Sequence, residues 1–224
     1  MSIITRDARA ELDALCTQGL DWALDPSRFL TDPSRARRSA VLVLFGVLDS
    51  APSHATGPVG RDLDVLLQRR SETLGHHPGQ ISFPGGGVEA SDHGDITATA
   101  LREAVEETGL DPSGVEILGT LPQLPVPVSN NLVTPVLAWW TRVSEVAAVD
   151  RRESVDVFRV PVADLLDPAN RAAVEHRRDG RTIRTPAFTV HGVLVWGFTG
   201  IVLARLFDEL GWTVPWDHSR TVQP

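Results

Sequence analysis

The chain of 224 residues contains no lysine and no tyrosine, and it has a single cysteine. Without lysine, a lysine nucleophile and Schiff-base chemistry are excluded. A lone cysteine, Cys16, excludes an internal disulfide and a zinc site built from cysteines, and it fits a reducing compartment. All basic side chains other than histidine are therefore arginines, which we attribute to a GC-rich genome rather than to function.

A long apolar run and an excess of basic residues are missing too. The most apolar stretch, 193–203, is too short to span a bilayer, and residues 1–16 lack the apolar core of a secretory signal. A net charge of −8 argues against nucleic acid as a main partner, because binding to a phosphate backbone needs a basic surface. We therefore expect a cytoplasmic protein with neither a membrane nor a nucleic-acid partner.

The stretch 83–110 carries the most information. It predicts a helix over 96–108, with Asp95 as the N-cap and Gly109 as the left-handed residue that ends it. Four residues spaced by four positions would face a core: Ile96, Ala100, Ala104 and Thr108.

Three carboxylates, Glu103, Glu106 and Glu107, share one face of this predicted helix. Like charges at this spacing destabilise a helix, so the cluster favours a divalent cation held by oxygen ligands. The alternative is a solvated acidic face, which is the commoner origin of such a pattern. Glycines at 85–87 allow bare backbone to approach either this cluster or a phosphate.

The segment REAVEETGL, Arg102 to Leu110, resembles the core of the Nudix box, R-E-apolar-x-E-E-x-G-apolar. Every defined position of that core is filled. Upstream, the spacing from Gly86 to Arg102 is two residues longer than in the generic box, and Gly94 stands where the box has a glutamate.

The segment 66–86, LLQRRSETLGHHPGQISFPGG, resembles the additional motif of the coenzyme A pyrophosphatase branch of Nudix hydrolases. Gln68 replaces a threonine of that motif, and Gly75 replaces its second arginine. The positions that fit it are Leu66, Leu67, Arg70, Ser71, Gly79, Phe83, Pro84, Gly85 and Gly86.

Two later fragments also resemble this branch: Ser129 with the segment VTPV at 133–136, and the W-G-x-T element at 196–199. With them the resemblance covers about 38–208 and implies an α+β Nudix fold, in which a mixed β-sheet is sandwiched between α-helices. The mixture of strands with few helices agrees with α+β rather than with regular βα alternation. We predict an N-terminal helix and connector at 1–37, a Nudix domain at 38–210 and a C-terminal tail at 211–224.

For the site, the resemblance implies Mg²⁺ or Mn²⁺ bound by Glu103, Glu107 and Glu106, with the backbone carbonyl of Gly85 as a further ligand. Arg102 would hold Glu106 in one rotamer through a charge-assisted hydrogen bond. Which carboxylate is the general base is left open, and an acid from a later loop can serve, with Glu153 or Asp156 as the candidate. The residues predicted to be catalytic are Glu106, Arg102 and Glu153.

Four residues are predicted to bind substrate: Arg70, His77, Gln80 and Gly86. His76 is an alternative to His77 as a replacement for the missing arginine. Three tryptophans are expected in the core rather than as stacking platforms for a base: Trp139, Trp140 and Trp196.

The function implied is metal-dependent hydrolysis of coenzyme A or its thioesters to 3′,5′-ADP and 4′-phosphopantetheine. The alternatives are an ADP-ribose or dinucleotide pyrophosphatase and a non-catalytic nucleotide sensor. The partner would be a small-molecule nucleotide diphosphate, with a homodimer possible.

Elsewhere, hydrophobic patterns predict further elements. They are a helix over 7–24, strands at 40–48, 63–69, 115–121 and 132–140 (with Pro135 at an edge or bulge), a loop or irregular hairpin at 49–60, a short helix at 162–166, a polar hairpin turn in 171–184 and a closing helix within 191–210.

Overall fold

Helices and strands alternate irregularly in the computed structural model, which describes residues 7–25, 29–30, 32–47, 63–73, 77–178 and 180–224. The helices are α1 (Ala8–Gln18), α2 (Ile96–Thr108), α3 (Val162–Leu166) and α4 (Gly197–Glu209). The strands are β1 (Arg37–Val47), β2 (Leu63–Arg70), β3 (Ile81–Ser82), β4 (Gly85–Gly87), β5 (Val115–Thr120), β6 (Leu124–Val126), β7 (Asn131–Trp140), β8 (Ser154–Pro161), β9 (Arg171–Arg178), β10 (Arg181–Val190), β11 (Val193–Val195) and β12 (Thr221–Val222). The predicted loop at 49–60 lies outside the described residues.

The larger sheet is mixed and has the order β3-β2-β1-β7-β5. Strand β1 pairs parallel with β7 and antiparallel with β2 and β4. Because side chains alternate between the faces of a strand, Leu42 and Leu44 of β1 pack against α2, whereas Val43 and Phe45 join a second cluster with α1 and α4. The predicted arrangement of a mixed sheet between helices is confirmed.

Helix α2 has the predicted limits, and local sequence explains both ends. The Asp95 carboxylate accepts hydrogen bonds from the N–H groups of Thr97 and Ala98, at 2.8 and 3.3 Å. Gly109, with φ of +68°, ends the helix by donating its N–H to the Val105 carbonyl. Ala100, Ala104 and Thr108 are buried and Ile96 is partly buried, as the four-residue spacing predicts.

Pro135 does not lie on an edge strand, because β7 has β1 on one side and β5 and β6 on the other. The prediction of an edge was therefore wrong. The β5 pairing ends at Val136 and the β6 pairing begins at Val133, so Pro135 falls at the interruption between them. Its carbonyl accepts from the N–H of Leu121 at 2.9 Å, and its missing N–H interrupts neither ladder.

The sequence analysis did not predict the second sheet, whose order is β11-β10-β9-β12. It contains the expected polar hairpin as β9 and β10, while the expected closing helix begins only at Gly197. Residues 193–195 instead pair with 188–190 as a strand, a structure that β-branched residues favour. Gly197, with φ of +64°, then redirects the chain into α4.

Both ends of the described chain pack on the core. Helix α1 is shorter than expected because Gly19, with φ of +79°, follows its last turn. Trp212 is fully buried, and β12 pairs parallel with β9. The division of the chain near residues 38 and 210 stays a prediction. Among the described residues, no helix is both long and apolar enough to cross a membrane.

Replacing Trp212 with alanine tests whether the C-terminal segment belongs to the core. Trp212 stacks on Phe207, meets Phe45 edge-on and donates its indole N–H to Glu11 at 2.7 Å. We expect Trp212→Ala to lower the free energy of unfolding by about 3–5 kcal/mol, the cost of a large buried cavity. Urea unfolding measures this change. The matched variant Trp216→Ala removes a partly exposed ring and should cost clearly less; equal losses would contradict the assignment.

Candidate active site

The glycine-rich strand β4 is the centre of the candidate site. Its residues pair with residues 39–41 of β1, and the N–H of Leu42 donates to the Pro84 carbonyl at 2.8 Å. A side chain at Gly86 would collide with the carboxyl group of Glu103. The absence of a Cβ atom is therefore what allows helix α2 to bring its glutamates against this strand.

The Glu107 carboxyl group is buried, with 5% exposure, between α2, β2 and β4. One oxygen, Oε2, accepts hydrogen bonds from the Gln68 side-chain amide at 2.7 Å and from the Gly85 N–H at 2.8 Å. Burial raises the pKa of this carboxyl group to about 7, although both hydrogen bonds act to lower it. Ionisation of Glu107 therefore costs free energy, and a nearby cation would stabilise the ionised form.

Glu103 lies one helical turn before Glu107, and its side chain is 15% exposed. Burial raises the pKa of the Glu103 carboxyl group, an effect that Arg102 opposes and that the charges of Glu106 and Glu153 reinforce. Two partly desolvated carboxylates thus sit together against strand β4. Their hard oxygen donors are of the kind that Mg²⁺ and Mn²⁺ prefer.

Arg102 connects these carboxylates to the preceding loop. Its guanidinium binds both oxygens of Asp92, at 2.9 and 3.1 Å, and donates to the Gly87 carbonyl at 3.1 Å. Its Nη1 atom lies 3.0 Å from Glu106 and 3.1 Å from Glu103. The expected hydrogen bond from Arg102 to Glu106 is therefore present, and the same nitrogen also serves Glu103.

Glu106 is the most exposed of the three glutamates, at 57%. Among the described residues, no group of three or more histidine, cysteine, aspartate or glutamate side chains is arranged closely enough to hold a metal ion. Gly85 contributes its N–H to Glu107, which is a different contact from the carbonyl ligand expected from the sequence. The metal-ligand set of Glu103, Glu106, Glu107 and Gly85 stays a prediction.

A cavity of about 870 Å³ adjoins strand β4 and extends towards the second sheet. Its walls come from β1, the end of β2, the segment 77–83, β4, β6, the turn 127–129, the start of β7, β9, β10 and the start of α4. Arginine and histidine line it, but no aspartate or glutamate does so among the residues that the structure describes: the charged and titratable lining residues are Arg37, Arg70, His77, His176 and Arg177. In a chain with a net charge of −8, this cavity is suited to an anion.

All four residues predicted to bind substrate line this one cavity: Arg70, His77, Gln80 and Gly86. The His77 ring contacts the Gln80 side chain at 2.9 Å, and its backbone has a φ of +55°. The Nε atom of Arg70 is buried and makes no hydrogen bond with any residue in the described part of the chain. His76 and Gly75 lie outside the described residues.

The two candidate bases are both exposed, but they differ in position. Glu153 directly precedes β8, and its carbonyl accepts the N–H of Ser71 at 2.9 Å. Its charge contributes to the raised pKa of Glu103. Asp156 lies within β8 opposite Arg69. The assignment of the general base stays a prediction.

The expectation for the tryptophans was right for two and wrong for one. Trp140 is buried and Trp139 packs against the core. Trp196 is only partly buried, and it lines the cavity. The prediction failed because the closing helix was expected to include Trp196, whereas Trp196 is the extended residue before α4.

Sequence reasoning missed two residues that hold this site together. Asp92 forms an ion pair with Arg102. It lies two residues before Gly94, and no local sequence pattern identified it. Gln68 was noted as a departure from the branch motif, yet it binds Glu107. The available signal was a polar side chain within a strand that is apolar on both faces at 65–67, a pattern typical of a buried strand.

The Asp92–Arg102 pair should make stability depend on pH. Hydrogen bonds from Arg102, above all, hold the pKa of the buried Asp92 carboxyl group well below its usual range. Its contribution to stability is then complete above the unfolded pKa of about 3.9 and is lost as pH falls towards the lower folded value. We expect Asp92→Asn to lower the Tm by several degrees at pH 7, and the difference from wild type to shrink below about pH 4.

Thermal melts of both proteins between pH 7 and pH 2 measure this difference. The control Asp13→Asn alters an exposed residue of α1 and should leave the Tm unchanged. A gap between wild type and Asp92→Asn that stayed constant with pH would contradict the ion pair.

Comparisons with known proteins agree with this geometry. The family model of the NUDIX domain matches residues 54–179, more than half of the chain. The uncharacterized Nudix hydrolase NudL of Salmonella paratyphi B is 34% identical over 154 residues, which cover 66% of this chain and 75% of that protein. The same figures hold for NudL of Salmonella newport.

Among solved structures, the crystal structure of the Nudix hydrolase RenU from M. smegmatis superposes with a TM-score of 0.51. The superposed region covers 82% of this chain and 91% of the RenU chain, at 16% sequence identity, so this likeness concerns the fold alone. The α+β Nudix fold is confirmed, and so is the prediction of a pyrophosphohydrolase. The matched family model, the NudL relatives and the shared fold show that the chain belongs to the NUDIX domain family.

Proposed function

We propose that this Nudix hydrolase cleaves the diphosphate of coenzyme A or its thioesters, with Mg²⁺ or Mn²⁺, to 3′,5′-ADP and 4′-phosphopantetheine. The observation that carries the proposal is the meeting of two features at strand β4. The partly desolvated carboxylates of Glu103 and Glu107 lie against this strand, and the cavity beside it is lined by cationic residues. A diphosphate bridging a divalent cation and arginine needs both features together.

The proposed metal ligands fit the ion by their chemistry. Glu103 and Glu107 would hold it together, and Glu106, which Arg102 tethers at 3.0 Å, would complete the set. When bound, such an ion neutralises phosphate oxygens and makes a bound water a better nucleophile. A cation there would also offset the cost of burying the two carboxylates.

The chain's own residues then orient the substrate. Arg70 lines the cavity, and its charge acts on Glu107, so its guanidinium can hold a phosphate beside the carboxylates. The bare backbone of 85–87 allows the diphosphate to approach closely. Glu153, exposed and acting on Glu103 through its charge, would accept the proton of the attacking water.

The choice of coenzyme A rests on the resemblance of segment 66–86 to the branch motif. In the structure, Arg70 and Gln80 from this segment line the cavity, as does Gly86 at its end. The replacement of the motif's second arginine by Gly75 is what keeps an ADP-ribose or dinucleotide pyrophosphatase as the alternative. A non-catalytic sensor is disfavoured by the network of Asp92, Arg102 and Glu106, which a binding module does not require.

The partner is thus a small-molecule nucleotide diphosphate. A homodimer, the lack of a nucleic-acid partner and a cytoplasmic location remain predictions from the sequence. The net charge of −8 supports the lack of a nucleic-acid partner.

A panel of diphosphate substrates tests the reaction and its specificity. We expect magnesium-dependent release of 3′,5′-ADP and 4′-phosphopantetheine from coenzyme A, measured by chromatography. ADP-ribose and a dinucleoside polyphosphate should turn over more slowly. Turnover of ADP-ribose without turnover of coenzyme A would overturn the substrate but not the reaction class, and no turnover of any member would favour the sensor.

Glu107→Gln tests the carboxylate cluster. It keeps the side-chain size but removes the charge, so we expect turnover to fall at least about 10²-fold, the scale for losing a key electrostatic element. Steady-state kinetics at saturating magnesium measure this loss, and circular dichroism checks folding. The control Glu145→Gln removes a carboxylate from an exposed loop residue and should leave the rate unchanged. A near-normal rate for Glu107→Gln would show that the ligand assignment is wrong.

A further inference from the structure

Trp196 occupies an unusual place for a large aromatic side chain. It lines the cavity, is only partly buried and precedes α4 in an extended conformation, with φ of −149°. The helix that follows is fixed in place, because the buried Thr199 hydroxyl donates to the Ile81 carbonyl at 3.0 Å. The ring is therefore presented to the cavity from a rigid element.

The second sheet supports this ring from one side. The His176 and Trp196 rings are nearly parallel, with an interplanar angle of 27° and centroids 6.0 Å apart. His176 is placed by its contact with the Thr185 hydroxyl at 3.2 Å and by its pairing with Ile183, which also lines the cavity. Both rings line the cavity, and such an aromatic pair is suited to stack a flat heterocycle.

The charge of the cavity points to the same kind of ligand. Three arginines line it and, within the described ranges, no carboxylate does. Arg37 lies near Gly87 and makes no ion pair with any residue that the structure describes. A ligand that combines negative charge with a flat aromatic group, as a nucleotide does, matches both the arginines and the ring.

We propose that Trp196, backed by His176, is the platform on which the purine base of the substrate stacks, while its phosphates face strand β4. This proposal rests on the proposed function only in taking a nucleotide as the ligand. Specificity for the base would then be determined outside helix α2, by His176 of the second sheet and by Trp196 at the start of α4.

Binding of AMP and of ribose 5-phosphate tests the platform. The two ligands share a ribose phosphate and differ by the base, and neither contains a phosphoanhydride to be hydrolysed. By calorimetry, we expect Trp196→Ala to weaken AMP binding about tenfold or more, the scale of base stacking on an aromatic side chain, and to leave ribose 5-phosphate binding unchanged. Trp196→Phe, which keeps a ring, should retain most of the affinity for AMP.

Three controls make the outcome decisive. Trp216→Ala removes a ring that contacts His218 and Arg171, outside the residues lining the cavity, and should not change AMP binding. Trp196→Leu keeps an apolar side chain without a ring, and it replaces Trp196→Ala if that variant fails to fold by circular dichroism. 4′-Phosphopantetheine replaces AMP to test whether the ring binds the other half of coenzyme A.

Equal losses for AMP and ribose 5-phosphate, or a loss for 4′-phosphopantetheine alone, would overturn the platform. Because these ligands are not hydrolysed, the result is independent of turnover. An inactive protein that still binds AMP through Trp196 would refute the proposed reaction but not the platform. An active protein whose AMP affinity does not depend on Trp196 would refute the platform alone.

Discussion

The burial of the Glu107 carboxyl group is the constraint on which the rest of the site depends. One oxygen of this group receives both the Gln68 amide and the Gly85 N–H, and its pKa is raised by burial. Three elements must therefore be in place at once, namely α2, β2 and β4. Leaving a buried carboxylate without these donors would cost a large desolvation penalty, so the arrangement also fixes the position of helix α2 on the sheet.

Arg102 gives this helix a second attachment. By binding Asp92 and the Gly87 carbonyl, it ties α2 to the loop that follows β4. The same guanidinium lies beside Glu103 and Glu106, so one cation offsets the repulsion between two carboxylates of like charge. The loop at 88–95, two residues longer than in the generic box, places Asp92 where it can reach Arg102.

Sequence predicted the parts of the molecule that local rules determine. Helix α2 was found with its caps because Asp95 and Gly109 satisfy its ends without help from the rest of the chain. The second sheet was missed because a short apolar run such as 193–195 fits a buried helix as well as it fits a strand. Which of the two forms depends on the pairing with β10, a tertiary contact.

The residues of the candidate site likewise fall into those that a local motif predicts and those that depend on tertiary contacts. Arg70, His77, Gln80 and Gly86 come from one continuous motif and were found together, lining one cavity. Asp92 and Gln68 act through contacts with residues 10 and 39 positions away, which no local pattern reveals. Trp196 was misplaced because its exposure depends on where α4 begins.

Strand β4 consists of three glycines, so no side chain of this strand stands between the cavity that it lines and the Glu103 carboxyl group that packs against Gly86. Negative charge placed in the cavity and the charge on Glu103 would therefore repel each other at short range in a partly desolvated site, where screening is weaker than in water. Occupancy of the cavity and ionisation of this carboxyl group are thus thermodynamically linked. Whatever neutralises Glu103 makes an anion easier to hold in the cavity, and the reverse follows by reciprocity.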